Sequence, residues 1–133
     1  MKSLWVPVSL LALILALSLV NGALVSKAVG QWDALLLKAE DSALQGDWDS
    51  ARRAVEDCYQ QWGTKQTWLH IVERHGELDQ AETLFLRTSA LAAQEELSDF
   101  LTESQDLRSQ LALLAEMEQL SAKNVLTYFP AVY

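Results

Sequence analysis

Apolar and charged positions divide the chain sharply at Ser26. From Ser3 to Ser26 no side chain is charged, positions 11–17 read Leu-Ala-Leu-Ile-Leu-Ala-Leu, and Lys2 and Lys27 bracket the run. An apolar helix of about 20 residues, rising about 1.5 Å per residue, matches a hydrocarbon core roughly 30 Å thick. The run therefore predicts a single-pass transmembrane anchor over residues 1–26. Leu4, Leu10, Leu13, Leu17 and Val20 would meet lipid, and Trp5 would sit at one headgroup level, where indoles concentrate. A cleaved signal peptide is the competing reading, with Val20-Asn21-Gly22 or Asn21-Gly22-Ala23 as poor cleavage sites. The apolar run continues through Val25, past the about 7–15 residues such signals use, and this favours an uncleaved anchor.

Beyond Lys27 the apolar positions recur with a period near 3.6, and no proline stands between Pro7 and Pro130. This pattern predicts an all-α domain over residues 27–126. Trp32, Leu35, Leu36, Ala39 and Ala43 form one stripe that prolongs the anchor helix. Gly46 fits its left-handed end and Asp47 the N-cap of the next helix. That second helix turns Trp48, Ala51, Val55, Cys58, Tyr59 and Trp62 inward. Gly63-Thr64 repeats the stop-and-cap signal, so a third helix is expected from near Thr64, carrying Trp68, Ile71, Val72, His75, Leu78, Ala81, Leu84, Phe85 and Leu91. Gly76 is a second place where it could break. A fourth helix, from near Glu95, contributes Leu97, Phe100, Leu101, Leu107, Leu111 and Leu114. Short connections near 46, 63 and 93 make neighbouring helices antiparallel. Residues 127–133 form an apolar tail that either packs back onto the bundle or frays, with Val125 and Leu126 before it expected to dock.

Residues 35–51 echo residues 84–100 at an offset of 49, each containing a helical turn. Ala-Leu-Gln-Gly-Asp-Trp-Asp-Ser-Ala at 43–51 has the look of a tetratricopeptide hairpin, but such solenoids need at least about three repeats. The expected architecture is thus a transmembrane helix continuing into a small four-helix bundle of tetratricopeptide-like hairpins.

All eighteen acidic residues and nine of the ten basic ones follow Ser26, giving that part a formal charge of −9. Such a surface repels phosphate backbones, and no nucleic-acid partner is expected. Cys58 is the lone cysteine, which rules out an intramolecular disulfide framework, and its helical spacing with Val55 and Trp62 marks it as core. Trp48, Trp62 and Trp68 fall on inward faces; Trp32, about 10 Å past the apolar run, could instead touch headgroups or a partner.

The densest polar cluster is His70, Glu73, His75, Glu77 and Asp79. On a continuous helix, His70, Glu73 and Glu77 would share a face and could present metal ligands with His75. Bundle metal sites, however, draw Glu-x-x-His pairs from several facing helices, and here the order is reversed and occurs once. The favoured reading leaves these carboxylates solvated, with His75 bonded inside the bundle. Adjacent carboxylates such as Glu40-Asp41 and Glu56-Asp57 do not face each other on a helix. No nucleophile stands in a recognisable elbow. No enzymatic activity, metal or cofactor is expected.

Trp32, Gly46-Asp47-Trp48-x-x-Ala51, Trp62, Lys65, Trp68, His75-x-Glu77-x-Asp79 and Asn124-Val125-Leu126 together resemble an uncharacterised bacterial family, domain of unknown function 4363. Its members are small membrane-anchored helical proteins. The resemblance implies fold and localisation and brings no activity. It maps the family's polar signature onto His75, Glu77 and Asp79. The expectation that emerges is a membrane-tethered, extracytoplasmic interaction module at the cell membrane, with the lipid bilayer and another membrane or envelope protein as partners. A metal or small-ligand binder using His70, Glu73, His75 and Glu77 is the alternative.

Overall fold

The computed structural model describes residues 2–72 and 75–131, with the side chains of 3–65, 78–117 and 120 among them. Four helices make up the fold: α1 (Lys2–Leu44), α2 (Trp48–Val72), α3 (His75–Ala93) and α4 (Leu97–Ala131). No strand occurs among the described residues. α1 packs on α2, α2 on α3, α3 on α4, and α4 back on α1, which closes two helical hairpins into one antiparallel ring.

α1 runs unbroken for 43 residues, about 64 Å. Pro7 lies inside its second turn. Where the helix ends, Gly46 takes a positive φ of 79° and Asp47 N–H returns to the Ser42 carbonyl at 2.9 Å. This is the left-handed close that glycine adopts without steric cost. Asp47 then caps α2, its carboxylate accepting from Ser50 N–H at 3.2 Å and from the Ser50 hydroxyl at 2.7 Å.

The core follows the stripes closely. Val25, Val29, Trp32, Leu36, Ala39 and Ala43 from α1 meet Ala51, Val55, Cys58 and Trp62 from α2, and all are buried. Leu78, Ala81, Phe85 and Ala92 from α3 and Phe100, Leu107, Leu111 and Leu114 from α4 complete it. Tyr59, Trp62 and Phe85 cluster, with ring centroids 5.2–6.1 Å apart, and half-buried Trp48 meets Phe100 edge-on at 5.5 Å. Such aromatic pairs add a modest stabilisation beyond the area they bury.

Three expectations need correction. Gly63-Thr64 does not end α2: the helix passes through, and the Thr64 hydroxyl donates back to the Gln61 carbonyl at 2.8 Å instead of capping a new helix. An interior glycine costs about 1 kcal/mol, less than the burial of Trp62 that a turn there would disturb. The boundary therefore falls between Val72 and His75, ahead of Gly76. Trp32 is 2% exposed and belongs to the core, unavailable to headgroups or a partner. Leu97 opens α4 and is 38% exposed rather than inward. Residues 127–131 continue α4 as helix. Val25, which hydropathy placed in the anchor, is also a core residue, so anchor and bundle share one helix without a joint. Trp68, Ile71 and Val72 lie outside the described side chains.

Candidate functional site: the polar seams of the bundle

The best-built polar arrangement lies between α1 and α4. The Arg108 guanidinium donates from Nε to Asp33 Oδ1 at 2.7 Å and from Nη1 to Glu40 Oε2 at 3.2 Å. One turn earlier on α4, the Ser104 hydroxyl donates to the same Glu40 oxygen at 3.1 Å. Glu40 and Ser104 are buried, and Arg108 keeps about a quarter of its side chain in water, 27%. One guanidinium thus serves two carboxylates two turns apart on α1. The hydrogen bond to Asp33 is the main influence raising Arg108 further above its ordinary value, so the group stays charged. A charge-assisted fork of this kind has demanding geometry, and here it locks the register of the two longest helices.

Between α2 and α3 the corresponding link is neutral on one side: the Tyr59 hydroxyl donates to Glu82 Oε1. That bond, above all, raises the phenol's pKa, because it favours the protonated form. Near the turns, Arg52 donates to the Ala92 carbonyl at 3.3 Å, satisfying the end of α3. Arg87 pairs with Glu103 at 2.8 Å across α3 and α4. The flanking grooves are shallow; the α2–α3 one, lined by Arg52, Arg53, Val55, Glu56, Ser89 and Ala92, encloses about 330 Å³.

These groups tie neighbouring helices to one another. Ser104, although bonded to a carboxylate, is fully buried. Cys58 is buried too; it donates to the Trp32 carbonyl at 3.6 Å, and burial pushes its thiol up to about 12. A thiol held so far above neutral pH has little nucleophilic character.

The residues singled out in the sequence are not brought together as a site. His70 belongs to α2 and Glu77 to α3, so the shared helix face proposed for His70, Glu73 and Glu77 does not exist. Glu73 lies outside the described residues, as do the side chains of His70, His75 and Glu77. Asp79 is exposed, and its carbonyl accepts from the Thr83 hydroxyl at 3.0 Å. Among the described residues no group of three or more His, Cys, Asp or Glu side chains could hold a metal ion. The anchor residues Leu4, Trp5, Leu10, Leu13, Leu17 and Val20 are all exposed, between 56 and 72%. Among the described residues one helix is long and apolar enough to cross a membrane, and it is the one near the N-terminus.

Sequence reasoning missed the seam of Asp33, Glu40, Ser104 and Arg108. Only its halves are visible in the sequence, and their pairing is not: carboxylates at i and i+7 beside the stripe of Trp32, Leu36 and Ala39, and a single basic residue beside Leu107 and Leu111.

The model of one family, Domain of unknown function (DUF4363), matches residues 22–125. Comparison with curated proteins and with solved structures gives no match. The matched stretch begins within the last apolar turn of the N-terminal run and includes both polar seams. The chain belongs to this family of domains of unknown function.

Proposed function

We propose that this family member is a non-enzymatic, membrane-tethered interaction module. In this reading a single-pass anchor holds the bundle outside the cytoplasm at the cell membrane, where it docks another membrane or envelope protein. The observation that carries the reading is the two-sided character of α1. Its N-terminal part exposes Leu4, Trp5, Val6, Leu10, Leu13 and Leu17, while from Val25 onward the same helix is a wall of the core. Exposed apolar area on that scale is stable in lipid and a liability in water. Because the helix has no break, a displacement of the bundle is transmitted rigidly to the membrane segment. Lys2 ahead of an export-like apolar run supports a cytoplasmic N-terminus. The acidic bundle surface supports a protein partner over nucleic acid.

Protease added to intact protoplasts should digest the bundle, while carbonate washing leaves the anchor in the membrane pellet. Protection of the bundle would reverse the orientation, and carbonate release would remove the anchor. Crosslinking in the native membrane would then identify the docked protein; if the chain crosslinks to nothing but itself, the interaction role falls.

A further inference from the structure

We propose that the C-terminal end of α4, beyond Lys123, enters the same membrane leaflet that α1 leaves, so that the bundle is held by one spanning helix and one half-inserted helix. The proposal rests on the anchor reading above and adds a second membrane contact to it.

The register of α1 against α4 is set by three links: Arg108 faces Asp33 and Glu40, and Ser104 faces Glu40. The helices are antiparallel, and both rise about 1.5 Å per residue. Carried along at that rise, the register places Lys123 level with about Ser18–Val25, and Ala131 level with about Leu10–Leu17. α4 is helical as far as Ala131. Its last eight residues therefore run roughly 12 Å along the apolar part of α1.

The burial of α1 bears this out independently. The stripe of Val25, Val29, Trp32 and Leu36 continues toward the N-terminus through buried Gly22 and half-buried Ser18 and Leu15. The flanking Ala16, Leu17, Leu19 and Val20 are exposed. By the Cys58–Trp32 contact, Val72 at the end of α2 is level with about Ser18. Below that level, among the described residues, only α4 continues beside α1.

Charge gives out toward this end of both helices. α1 has no charged side chain between Lys2 and Lys27. On α4 the last acidic residue is Glu118 and the last charged side chain is Lys123, followed by Asn-Val-Leu-Thr-Tyr-Phe-Pro-Ala-Val-Tyr. A lysine at the boundary with tyrosines and a phenylalanine beyond it is the composition of an interfacial anchor. A water-exposed α4 end would carry this apolar run with no core beside it except the lipid-facing part of α1.

The test uses the full chain in phosphatidylcholine–phosphatidylglycerol vesicles. Cys58 is replaced by alanine, and single cysteines at positions 10, 113, 125 or 129 carry an environment-sensitive fluorophore. Lipids brominated in the acyl chain and aqueous iodide serve as quenchers. The label at 10 should be quenched by the brominated lipid, and the label at 113 by iodide. At 125 and 129 the brominated lipid should quench and iodide should not. Iodide quenching at 125 and 129, or quenching by neither agent, with position 10 still in lipid, overturns the half-inserted helix and leaves the anchor standing. If position 10 itself escapes the brominated lipid, the anchor reading falls and the inference falls with it. Two tail positions are labelled so that one badly folded variant leaves the other decisive.

Discussion

The two long-range seams of the bundle occupy equivalent positions and use different chemistry. Glu82 follows Asp33, and Arg108 follows Tyr59, each by 49 residues, the same offset that relates the hairpin α1–α2 to the hairpin α3–α4. In α1–α4 the pair is Asp33 with Arg108; in α3–α2 it is Glu82 with Tyr59. The backbone plan also repeats at that offset: Asp47 N–H to the Ser42 carbonyl is matched by Glu96 N–H to the Leu91 carbonyl, at 2.9 and 3.1 Å. Side-chain volumes do not repeat, since Trp32 stands where the second hairpin has Ala81, and Ala51 where it has Phe100. Large residues of one hairpin thus fill space left by small ones of the other, so the two halves share a frame and cannot exchange cores. The charged fork lies where the two longest helices meet, which is where a slip would do most damage.

The core tests that complementarity with the largest effect. Trp62 corresponds to Leu111 at the same offset, and both are fully buried. Trp62→Ala should cost about 3–5 kcal/mol, measured by chemical unfolding of the detergent-solubilised chain followed by circular dichroism. Trp62→Phe should cost much less, because the buried indole Nε1 has no hydrogen-bond partner among the described residues, and removing an unsatisfied donor recovers part of the lost packing. Equal losses for the two variants would mean that the indole nitrogen is satisfied.

The seams come next. Arg108→Ala leaves the buried Glu40 without its guanidinium. The loss should be about 2–3 kcal/mol, below the roughly 3–5 of a fully buried pair because water reaches Arg108 and Asp33. Tyr59→Phe removes one neutral donor from a half-exposed carboxylate and should cost about 1 kcal/mol. If Tyr59→Phe proves the more damaging, the charged seam is not what holds the register. Combining Arg108→Met with Glu40→Leu should be milder than Arg108→Ala alone, since no charge is then stranded.

Much of this frame was legible in the residue pattern. The stripes on α1, α2 and α4 named nearly every core residue, and the 49-residue echo marked both left-handed turns. What failed had local causes. Gly63-Thr64 carries the letters of a helix end, yet burial of Trp62 beside it overrides a weak propensity. Leu97 is apolar, but as the first residue of α4 it lies beyond the packed layer. The seam of Asp33, Glu40, Ser104 and Arg108 joins residues 64–75 positions apart, a pairing that periodicity within one helix cannot reveal.

The turns give a smaller and signed test. Gly46 holds φ 79° and Glu95 holds φ 56° at equivalent positions. A side chain in that region costs about 1 kcal/mol or somewhat more. Gly46→Ala should therefore lose about 1 kcal/mol through the backbone alone, as nothing lies within 4 Å of the added Cβ. Glu95→Gly should gain about 0.5–1 kcal/mol, because glycine relieves the same strain and loses part of the gain to its freer unfolded chain. The same sign for both substitutions would refute the equivalence of the turns.

The smallest effect separates the two caps by pH. Asp47 accepts from both the N–H and the hydroxyl of Ser50, and these bonds hold its carboxyl below the ordinary aspartate value. Glu96, at the equivalent position, makes no such bond, because its longer side chain suits an N-cap poorly. A carboxyl whose folded pKa is depressed stabilises the fold above its unfolded pKa, and that stability is lost as pH falls through the folded one. Asp47→Asn keeps a capping oxygen that does not titrate. The stability difference between parent and Asp47→Asn should therefore be constant from neutral pH down to about pH 4, the unfolded aspartate range, and change only below it, against the parent. Glu96→Gln removes no capping bond and should leave the urea midpoint at neutral pH unchanged. Urea midpoints decide the matter: a loss for Glu96→Gln at neutral pH would show that the second hairpin is capped like the first, and that the two turns differ only in their left-handed residue.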